Sequence, residues 1–551
     1  RNNEVYVGTI LKGKGDAQSS FGLVPISTQF QRIIFVPSGG SVAFALVEEM
    51  VEHFAGLIFG KNTVQSRCIF RVTRNADITV DEGMFDHDVD YREIMSDLLK
   101  KRRKLAAVRL QFWPSAPQEI VKFLRDKLVV PADRCYTQTS PLDPGLLFRL
   151  ASRVSADSNP AFSYPPARPI QAPADYDLYA EAHKHDVLLS YPYQSIRPFI
   201  RMLMKAGSDP DVVSIKMTLY RMASDSQIVQ ALINAAENGK EVTAMVELRA
   251  RFDEQNNIDW SERLEEAGCK VLYGFEDYKV HSKICLITLR ERGALRHVTQ
   301  IGTGNYNEKT AKQYTDVSLV TADQNIGADA AAFFSNMALG NLEGSYGTLL
   351  VAPHQLKKPI LARIEEQTAL GPNGYILMKF NSLTDIDVIH ALSRASQAGV
   401  RVELIIRGIC CLAPGVPGYT DNITVTSIVG RFLEHSRIFC FGRGEQEQVY
   451  ISSADMMTRN TVRRVEIACP IRSPEIRRRL HEILDAMLAD TVKARVLLPD
   501  GTYTKKPPSY EPVCAQVLLM KRAVEAAQQQ SAAAPQEKRS LWKKLFHRKG
   551  R

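Results

Sequence analysis

The chain has 551 residues, more than a single hydrophobic core usually supports, and this length favours about three domains. Hydrophobic residues make up 45% and charged residues 24%, and no apolar run approaches the roughly 20 residues of a membrane-spanning helix, which excludes a transmembrane body. The net charge of +9 favours polyanionic partners, and nucleic acid, phosphate polymer and anionic lipid all remain open.

The first predicted domain, residues 1–165, mixes short strands with amphipathic helices, a pattern typical of an α+β fold. Because Val5-Tyr6-Val7 already alternates as a strand does, we expect the chain to begin inside a longer head domain. This domain shows no catalytic motif. Its predicted strands and helices are Ile33–Val36, Arg67–Thr73, Phe44–Ile58, Tyr91–Lys101 and Glu119–Leu128.

A proline-rich stretch, Pro160–Pro173, is predicted to be a linker, because it can continue neither a helix nor a central strand. Two further domains are expected after it, at residues 166–348 and 349–520. A basic tail is expected at residues 521–551.

These two domains contain an internal repeat of strand, helix, glycine and strand. The pairs Ala231-Leu232 and Ala391-Leu392 precede Gly239 and Gly399 at the same spacing, and each glycine is predicted to close its helix. Such alternation predicts βαβ units, and therefore two duplicated α/β domains. The predicted elements are Val212–Leu219, Gln227–Asn238 and Glu241–Leu248 in the first copy, and Tyr375–Phe380, Ile386–Ala398 and Val400–Ile406 in the second.

Each copy carries a histidine at a comparable distance past its glycine, 42 residues for His281 and 36 for His435. A cation follows two residues later, Lys283 or Arg437, and we expect it on the same face of a strand, where it can bind phosphate. A neutral imidazole can attack phosphorus, and a second imidazole can carry a proton to or from an oxygen. The pattern predicts that both histidines are catalytic in phosphoryl transfer.

Two acids are expected to orient the imidazoles, since a positioned histidine usually donates its second N–H to a carboxylate. They are Asp316 and Glu466, for which an ordinary salt bridge is the alternative. The segment Gly302-Thr303-Gly304-Asn305 is predicted to bring backbone N–H groups to an anion.

Arginines follow several predicted strands, at the carboxyl ends where α/β sheets place ligands. Guanidinium groups bind phosphate oxygens in pairs, so these arginines are predicted to surround the histidines. They are Arg221, Arg249, Arg251 and Arg407.

From about residue 185 to 510 the chain resembles the polyphosphate kinases of the phospholipase-D-like family. The resemblance implies an α+β head domain followed by two duplicated phospholipase-D-like α/β domains. It also implies reversible transfer of the terminal phosphate of ATP to inorganic polyphosphate through a phosphohistidine. The motifs that carry it are Leu219-Tyr220-Arg221, Glu247–Glu254, Lys279–Lys283, Ile301–Thr310, Tyr314-Thr315-Asp316, Arg407-Gly408, Arg431–His435 and Ser452–Asn460.

By position, the resemblance makes His281 the phosphorylated histidine and His435 its catalytic partner. It places Tyr314 and Arg407 at nucleotide-binding positions. Family members begin with a small helical domain that contributes to the nucleotide site, so we expect this part to be absent here or supplied by a partner chain.

Two further positions, Arg221 and Arg251, match the magnesium site of the family. A guanidinium offers no lone pair to a cation, so both are expected to hold phosphate oxygens of Mg-ATP. Mg²⁺ itself would be held by phosphates, water and an unassigned carboxylate.

Two alternatives remain open. One is a phospholipase-D-type phosphodiesterase or phosphatidyltransferase, which is disfavoured because Thr288 stands where that family places an acid. The other is a polyanion-binding scaffold without catalysis.

The expected partners are ATP or ADP, inorganic polyphosphate and further copies of the chain, with no specific nucleic acid. Nine cysteines without a C-x-x-C pair predict a reducing, cytoplasmic location. Lys538–Arg551 holds seven Lys/Arg and no acid, with Leu541, Trp542, Leu545 and Phe546 on one helical face. This tail is predicted either to make a peripheral contact at the inner membrane face or to act as a solubilising end.

Overall fold

The structure is a computed structural model with two compact units, Arg1–Pro166 and Ala167–Arg551. The residues that it describes are 3–13, 19–26, 31–39, 42–60, 62–75, 92, 105–157, 164–165, 167–250, 253–275 and 277–533.

The described part of the first unit contains seven strands and four helices. The strands are β1 Val5–Gly13, β2 Ser19–Pro25, β3 Ile33–Val36, β4 Ala43–Leu46, β5 Asn62–Arg74, β6 Ala107–Phe112 and β7 Cys135–Thr137. The helices are α1 Val47–His53, α2 Ala55–Ile58, α3 Gln118–Leu128 and α4 Leu146–Asp157. Five strands form a sheet in the order β2-β1-β5-β6-β7, and β3 pairs with β4.

Most of the predicted elements of this unit are confirmed, but the helix expected over Phe44–Ile58 is wrong at its start. Phe44 lies in β4 opposite Phe35 of β3, and helical structure begins only at Val47. The aromatic cross-strand pair outweighs the local helical pattern, because strand propensity depends on such packing. The helix expected over Tyr91–Lys101 lies outside the described residues except for Arg92, which is helical.

The second unit contains two similar halves. The strands of the first half are β8 Val187–Tyr191, β9 Val212–Leu219, β10 Glu241–Val246, β11 Lys270–Tyr273, β12 Lys279–Val280, β13 Ile284–Glu291, β14 Ala294–Gly302 and β15 Tyr314–Thr321. Its helices are α5 Leu178–Lys184, α6 Arg197–Ser208, α7 Gln227–Glu237, α8 Glu254–Glu266 and α9 Gln324–Ala338.

The second half has the same kinds of element. Its strands are β16 Leu350–Val351, β17 Tyr375–Phe380, β18 Arg401–Ile406, β19 Ile423–Ile428, β20 Leu433–Glu434, β21 Ile438–Phe441, β22 Gln448–Ser452, β23 Arg464–Val465, β24 Ile467–Pro470, β25 Ala494–Leu497 and β26 Tyr503–Lys505. Its helices are α10 Lys357–Ala369, α11 Ile386–Gln397, α12 Thr458–Val462, α13 Pro474–Leu488 and α14 Ala515–Ala533.

The strand order establishes the duplication. The first half runs β11-β10-β9-β13-β14-β15, and the second runs β19-β18-β17-β21-β22-β24. In both, the first three strands are parallel and the rest join antiparallel. The predicted pair of duplicated α/β domains is therefore confirmed.

The glycines that close equivalent helices act as expected. Gly239 and Gly399 have φ angles of +80° and +93°, a left-handed conformation that favours glycine. The next residue of each returns its N–H to the helix, Lys240 to Ala235 and Val400 to Ala395, at 3.0 Å in both cases.

The two halves also exchange short parallel strand pairs. Strand β12 of the first half pairs with β23 of the second, and β20 of the second pairs with β15 of the first. Because equivalent strands are exchanged in the two directions, the junction has approximate twofold symmetry. A single apolar core with residues of both halves, including Leu286, Phe333, Ile438 and Leu480, lies behind it.

The last described helix, α14, packs on that core through Ala515 and Leu519. It continues through the boundary expected at residue 520, so the Ala/Gln-rich start of the predicted tail is helical as far as Ala533. The basic segment Lys538–Arg551 lies outside the described residues. Among the helices that the structure describes, none has both the length and the apolar character to cross a membrane.

Candidate active site

The two histidines lie at the exchanged strand pairs. His281 stands between β12 and β13, and His435 stands between β20 and β21. The expectation that each histidine and its cation share a strand face is wrong, because both lie in irregular connections between strands. The N–H groups of His281 and Ser282 donate to the Val465 carbonyl at 2.9 Å, so the chain bends around the partner strand at this point.

The acid that holds His281 comes from the other half. Nδ1 of His281 lies 2.9 Å from both carboxylate oxygens of Glu466. Ser453 donates its hydroxyl to Glu466 at 2.5 Å, and Asn460 donates its amide at 2.8 Å. Arg464 lies 3.9 Å away. Glu466 is fully buried, so these donors replace the water that it loses.

The second histidine is held in the same way, in the opposite direction. Nδ1 of His435 lies 2.9 Å from both oxygens of Asp316 in the first half. Thr303 donates its hydroxyl to Asp316 at 2.6 Å, as Ser453 does to Glu466. A Cβ atom on Gly304 would lie 2.2 Å from Asp316 Oδ2, so only glycine permits this approach.

Burial sets the charge of the first pair. It lowers the pKa of His281 well below the ordinary value, and the neighbouring cations Lys283, Arg464 and Arg437 lower it further. Burial also raises the pKa of Glu466 to about 7, although Lys283 and Arg464 oppose the shift. His281 is therefore a neutral, nucleophilic imidazole near neutral pH.

In the pair of His435 and Asp316, burial and the neighbouring charges shift the two pKa values differently. Burial lowers the pKa of His435 as well, but Asp316 opposes the shift. Burial alone would raise the pKa of Asp316, yet His435, the Thr303 hydroxyl and Arg437 together lower it. Asp316 therefore stays ionised, which supports a positive charge on His435 more readily than Glu466 supports one on His281.

Each imidazole also contacts a tyrosine. The ring of Tyr220 meets His281 edge-on, with centroids 4.7 Å apart, and Tyr314 lies 5.3 Å from His435 at a tilt of 50°. Tyr314 was expected near the nucleotide. The role of Tyr220 could have been inferred from its place between β9 and Arg221 in the Leu219-Tyr220-Arg221 motif.

The two cations that follow the histidines are both buried. Lys283 donates to the carbonyl of His281, and burial lowers its pKa well below the usual range. Arg437 is paired with Asp455 at 3.1 Å and donates to the carbonyls of His435 and Thr303. Each of the three guanidinium nitrogens of Arg437 thus makes at least one hydrogen bond within the fold. Arg437 is a buried cation beside His435, and its contact with phosphate stays a prediction.

Arg407 lies at the end of β18, as the sequence indicates. Its Nε donates to the side chain of Asn381 at 2.7 Å and to the carbonyl of Glu434. Among the described residues its contacts use Nε, so the Nη groups keep donors for a further acceptor. Behind it, the buried ammonium of Lys379 pairs with the Glu434 carboxylate at 3.3 Å.

The remaining arginines differ in placement. Arg221 is partly exposed and pairs with Asp253 at 3.0 Å. Arg249 is held by Glu247 at 3.6 Å and by the carbonyl of Phe275, so it is a structural cation. Arg251 lies outside the described residues.

The described residues around Arg221 offer a limited set of ligands for a magnesium ion. Arg221 cannot ligate a metal, but the Asp253 carboxylate beside it can. Mg²⁺ is commonly held by one or two carboxylates together with substrate phosphates and water. Asp253 therefore fits as the unassigned carboxylate, with phosphates supplying the other oxygens.

Part of the glycine-rich segment Gly302-Thr303-Gly304-Asn305 forms backbone hydrogen bonds within the fold. The N–H of Gly302 donates to the Lys283 carbonyl and that of Thr303 to the Val317 carbonyl, both at 3.0 Å. These two N–H groups therefore do not contribute to an anion site, and an approach of the segment's other N–H groups to an anion stays a prediction. Thr288, the residue in place of a phospholipase-type acid, lies 3.2 Å from His297.

Family models match most of the chain. Residues 1–150 match the polyphosphate kinase middle domain. Residues 177–341 match polyphosphate kinase C-terminal domain 1, and residues 349–516 match C-terminal domain 2.

Individual relatives agree. The polyphosphate kinase of Bacillus cereus is 40% identical over 538 residues, which cover 95% of this chain and 76% of the relative. That of Pseudomonas putida is 38% identical, over 92% of this chain and 70% of the relative. The crystal structure of polyphosphate kinase from Porphyromonas gingivalis superposes with a TM-score of 0.78 and 31% identity, covering 96% of this chain and 79% of that one.

The duplicated fold, the paired histidines and these relatives define an enzyme of the phosphotransferase class. The chain belongs to the polyphosphate kinase family. The resemblance, the fold class and the assignment as a polyphosphate kinase are therefore confirmed.

Sequence reasoning missed several groups around the histidines. Ser453 and Thr303 stand in the sequence only as parts of motifs, although each donates its hydroxyl to an acid that holds a histidine. Their signal was present, since each stands 13 residues before its acid. Arg464 and Lys379 gave no comparable signal.

Proposed function

We propose that the enzyme transfers the γ-phosphate of ATP to inorganic polyphosphate, reversibly, through a phosphohistidine on Nε2 of His281. The observation that carries this proposal is the hydrogen bond from His281 to Glu466. When the carboxylate accepts the Nδ1 proton, the lone pair is left on Nε2, the other ring nitrogen.

In the first step Nε2 of His281 attacks the γ-phosphorus in line with the bond to ADP. The N–P bond forms as the bond between phosphorus and the bridging oxygen breaks, and ADP leaves with the electron pair. The Nδ1 proton stays on the ring and donates to Glu466. Lys283 and Arg464 offset the charge gathered on the phosphoryl oxygens.

In the second step a terminal phosphate oxygen of polyphosphate attacks the same phosphorus. The P–N bond breaks and its electron pair returns to Nε2 of His281. Both steps run backwards by the same route, which accounts for a reversible enzyme.

We propose that His435 acts on the oxygen that bonds to or leaves the phosphorus. It either stabilises the charge on this oxygen or transfers a proton to or from it. The ionised Asp316 stabilises a positive charge on its ring. His281 and His435 are thus unequal, because their acids differ in pKa.

The nucleotide is proposed to contact Tyr314 and Arg407, with Arg221 and Arg251 on phosphate oxygens. Mg²⁺, when bound, neutralises phosphate charge. Asp253 is the carboxylate that could hold it at Arg221.

Labelling with [γ-³²P]ATP tests this proposal. His281→Ala and His281→Asn are expected to lose both the acid-labile label and polymer synthesis, whereas the exposed His390→Ala control keeps both. Persistent labelling in the His281 variants, or an acid-stable label in the parent, would overturn the assignment.

A cytoplasmic location, self-association and a peripheral membrane contact of the basic tail stay predictions. Co-sedimentation with anionic vesicles, with and without residues 534–551, tests the membrane contact. Equal sedimentation of both chains would contradict it.

A further inference from the structure

A second cluster of titratable side chains lies on α13 and the end of β21. In the described residues, the group of three side chains whose ligand atoms could surround a metal is Cys440, Glu447 and His481, with these atoms within 4.8 Å of one another. None of them takes part in the chemistry proposed above.

The protein holds the three side chains from separate elements. Cys440 belongs to β21 and is fully buried. Glu447 follows the turn after β21, where Arg477 donates to its carbonyl at 3.0 Å. His481 lies on α13 and places Nε2 at 2.7 and 2.9 Å from the Glu447 carboxylate oxygens.

The charges around the cluster favour a cation. Burial raises the pKa of the Cys440 thiol well above its ordinary value, and the negative charges of Glu447 and Asp485 raise it further. Glu447 and Asp485 also raise the pKa of His481, against burial and Arg443. Of the nearby arginines, Arg443 stacks over the Tyr375 ring at 3.8 Å, and Arg477 donates to the Glu447 carbonyl rather than to its carboxylate.

We propose that Cys440, Glu447 and His481 form a binding site for Zn²⁺ or a similar thiophilic divalent ion. Thiolate, imidazole and carboxylate together match zinc and exclude magnesium, which prefers oxygen alone. A water molecule would complete four ligands.

The geometry requires little rearrangement. Ligand atoms around a tetrahedral zinc ion lie about 3.3 to 3.7 Å apart, from metal–ligand bonds of about 2.0 to 2.3 Å. The Glu447 and His481 atoms must separate slightly, and the thiol must close the remaining gap. The side chain of His481 is 28% exposed, which provides the entry path.

Binding forms metal–sulfur, metal–nitrogen and metal–oxygen bonds and involves no redox change. The Cys440 proton leaves to solvent, and so does the proton on His481 where one is present. The ion would tie β21 to α13 within the second half.

Cobalt substitution tests the site directly, because a cobalt–thiolate bond gives near-ultraviolet charge-transfer absorption. The metal-free full chain is titrated with Co²⁺ and then with Zn²⁺ in competition. We expect the band in the parent and in Cys469→Ser, a matched control that removes another fully buried thiol of the same sheet.

Cys440→Ser is expected to lose the band. His481→Gln removes the ring lone pair but keeps a side chain that can donate to Glu447. It therefore tests the site independently if Cys440→Ser fails to fold. Its Zn²⁺ affinity is expected to fall by at least about tenfold. Absence of the band in the parent, or its persistence in Cys440→Ser, would refute the site and leave an ordinary His481–Glu447 ion pair.

Discussion

His281 and Glu466 are hydrogen-bonded across a separation of 185 residues, and the equivalent bond between His435 and Asp316 spans 119. Each of the two histidines is therefore oriented by an acid that belongs to the other α/β half.

Glu466→Gln is expected to slow phosphorylation of His281 by about a hundredfold or more, because the amide carries no charge and no longer fixes the proton on Nδ1. Single-turnover labelling with ATP measures the rate. The unfolding midpoint is measured alongside to separate this effect from misfolding. A labelling rate equal to that of the parent would show that the carboxylate does not orient His281.

The rate of labelling is expected to fall as the pH drops through about 7, where Glu466 takes up a proton. A protonated Glu466 donates to Nδ1, which moves the ring proton of a neutral His281 to Nε2 and removes the attacking lone pair. Glu466→Gln should flatten this acidic limb. If the acidic limb had the same midpoint in the parent and in Glu466→Gln, another titrating group would be responsible for it.

Folding stability should depend on pH through the same carboxyl. Its pKa is raised on folding, from 4.5 to about 7, so the folded chain binds more protons in this window. The contribution of Glu466 to the free energy of unfolding therefore falls as the pH rises through it. Urea unfolding at about pH 5 and about pH 8 should show Glu466→Gln gaining stability relative to the parent at the higher pH. A constant difference between the two proteins would disprove the shift.

Ser453→Ala removes the hydroxyl that donates to Glu466 at 2.5 Å. The pKa of Glu466 should rise further, moving the acidic limb of the labelling profile upward by about one pH unit. Ser452→Ala is the matched control, since its equally buried hydroxyl donates to the Ile467 carbonyl instead. A similar displacement in both variants would point to general loosening of the strand.

Lys379→Met leaves the buried Glu434 carboxylate without its cation and is expected to lower the free energy of unfolding by about 3–5 kcal/mol. Arg394→Met breaks an ion pair with Glu365 whose partners are about half exposed, so its effect should stay within about 0.5 kcal/mol. Chemical unfolding of both variants provides the comparison. Equal losses would mean that burial of the Lys379 pair has no energetic weight.

Much of the fold follows from local patterns. Sequence predicts the bounds of two strands, Val212–Leu219 and Tyr375–Phe380. It also predicts the glycines that end α7 and α11. Each of these features depends on residues that are close in sequence. The helix predicted at Phe44 is wrong, since its partner Phe35 belongs to another strand and helical periodicity takes no account of cross-strand contacts.

The candidate site also has features that the sequence predicts and features that it does not. Both histidines and both acids could be found by comparing the two copies, since duplication places them in the same order and at comparable distances along the chain. Which acid serves which histidine could not be predicted, because that depends on the exchange of β12 and β20 between halves. The buried pairing of Arg437 with Asp455 was also missed, as an exposed and a buried cation look alike in sequence.

The crossed strand pairs also determine when the enzyme can first act during its own synthesis. The ribosome releases His281 long before Glu466, and a chain grows at about 5–20 residues per second. The nascent first half can build its sheet, but its histidine has no acid until the end of the second half emerges. If His281 and Glu466 act together as proposed, full ATP-dependent labelling is therefore expected only after Glu466 has emerged.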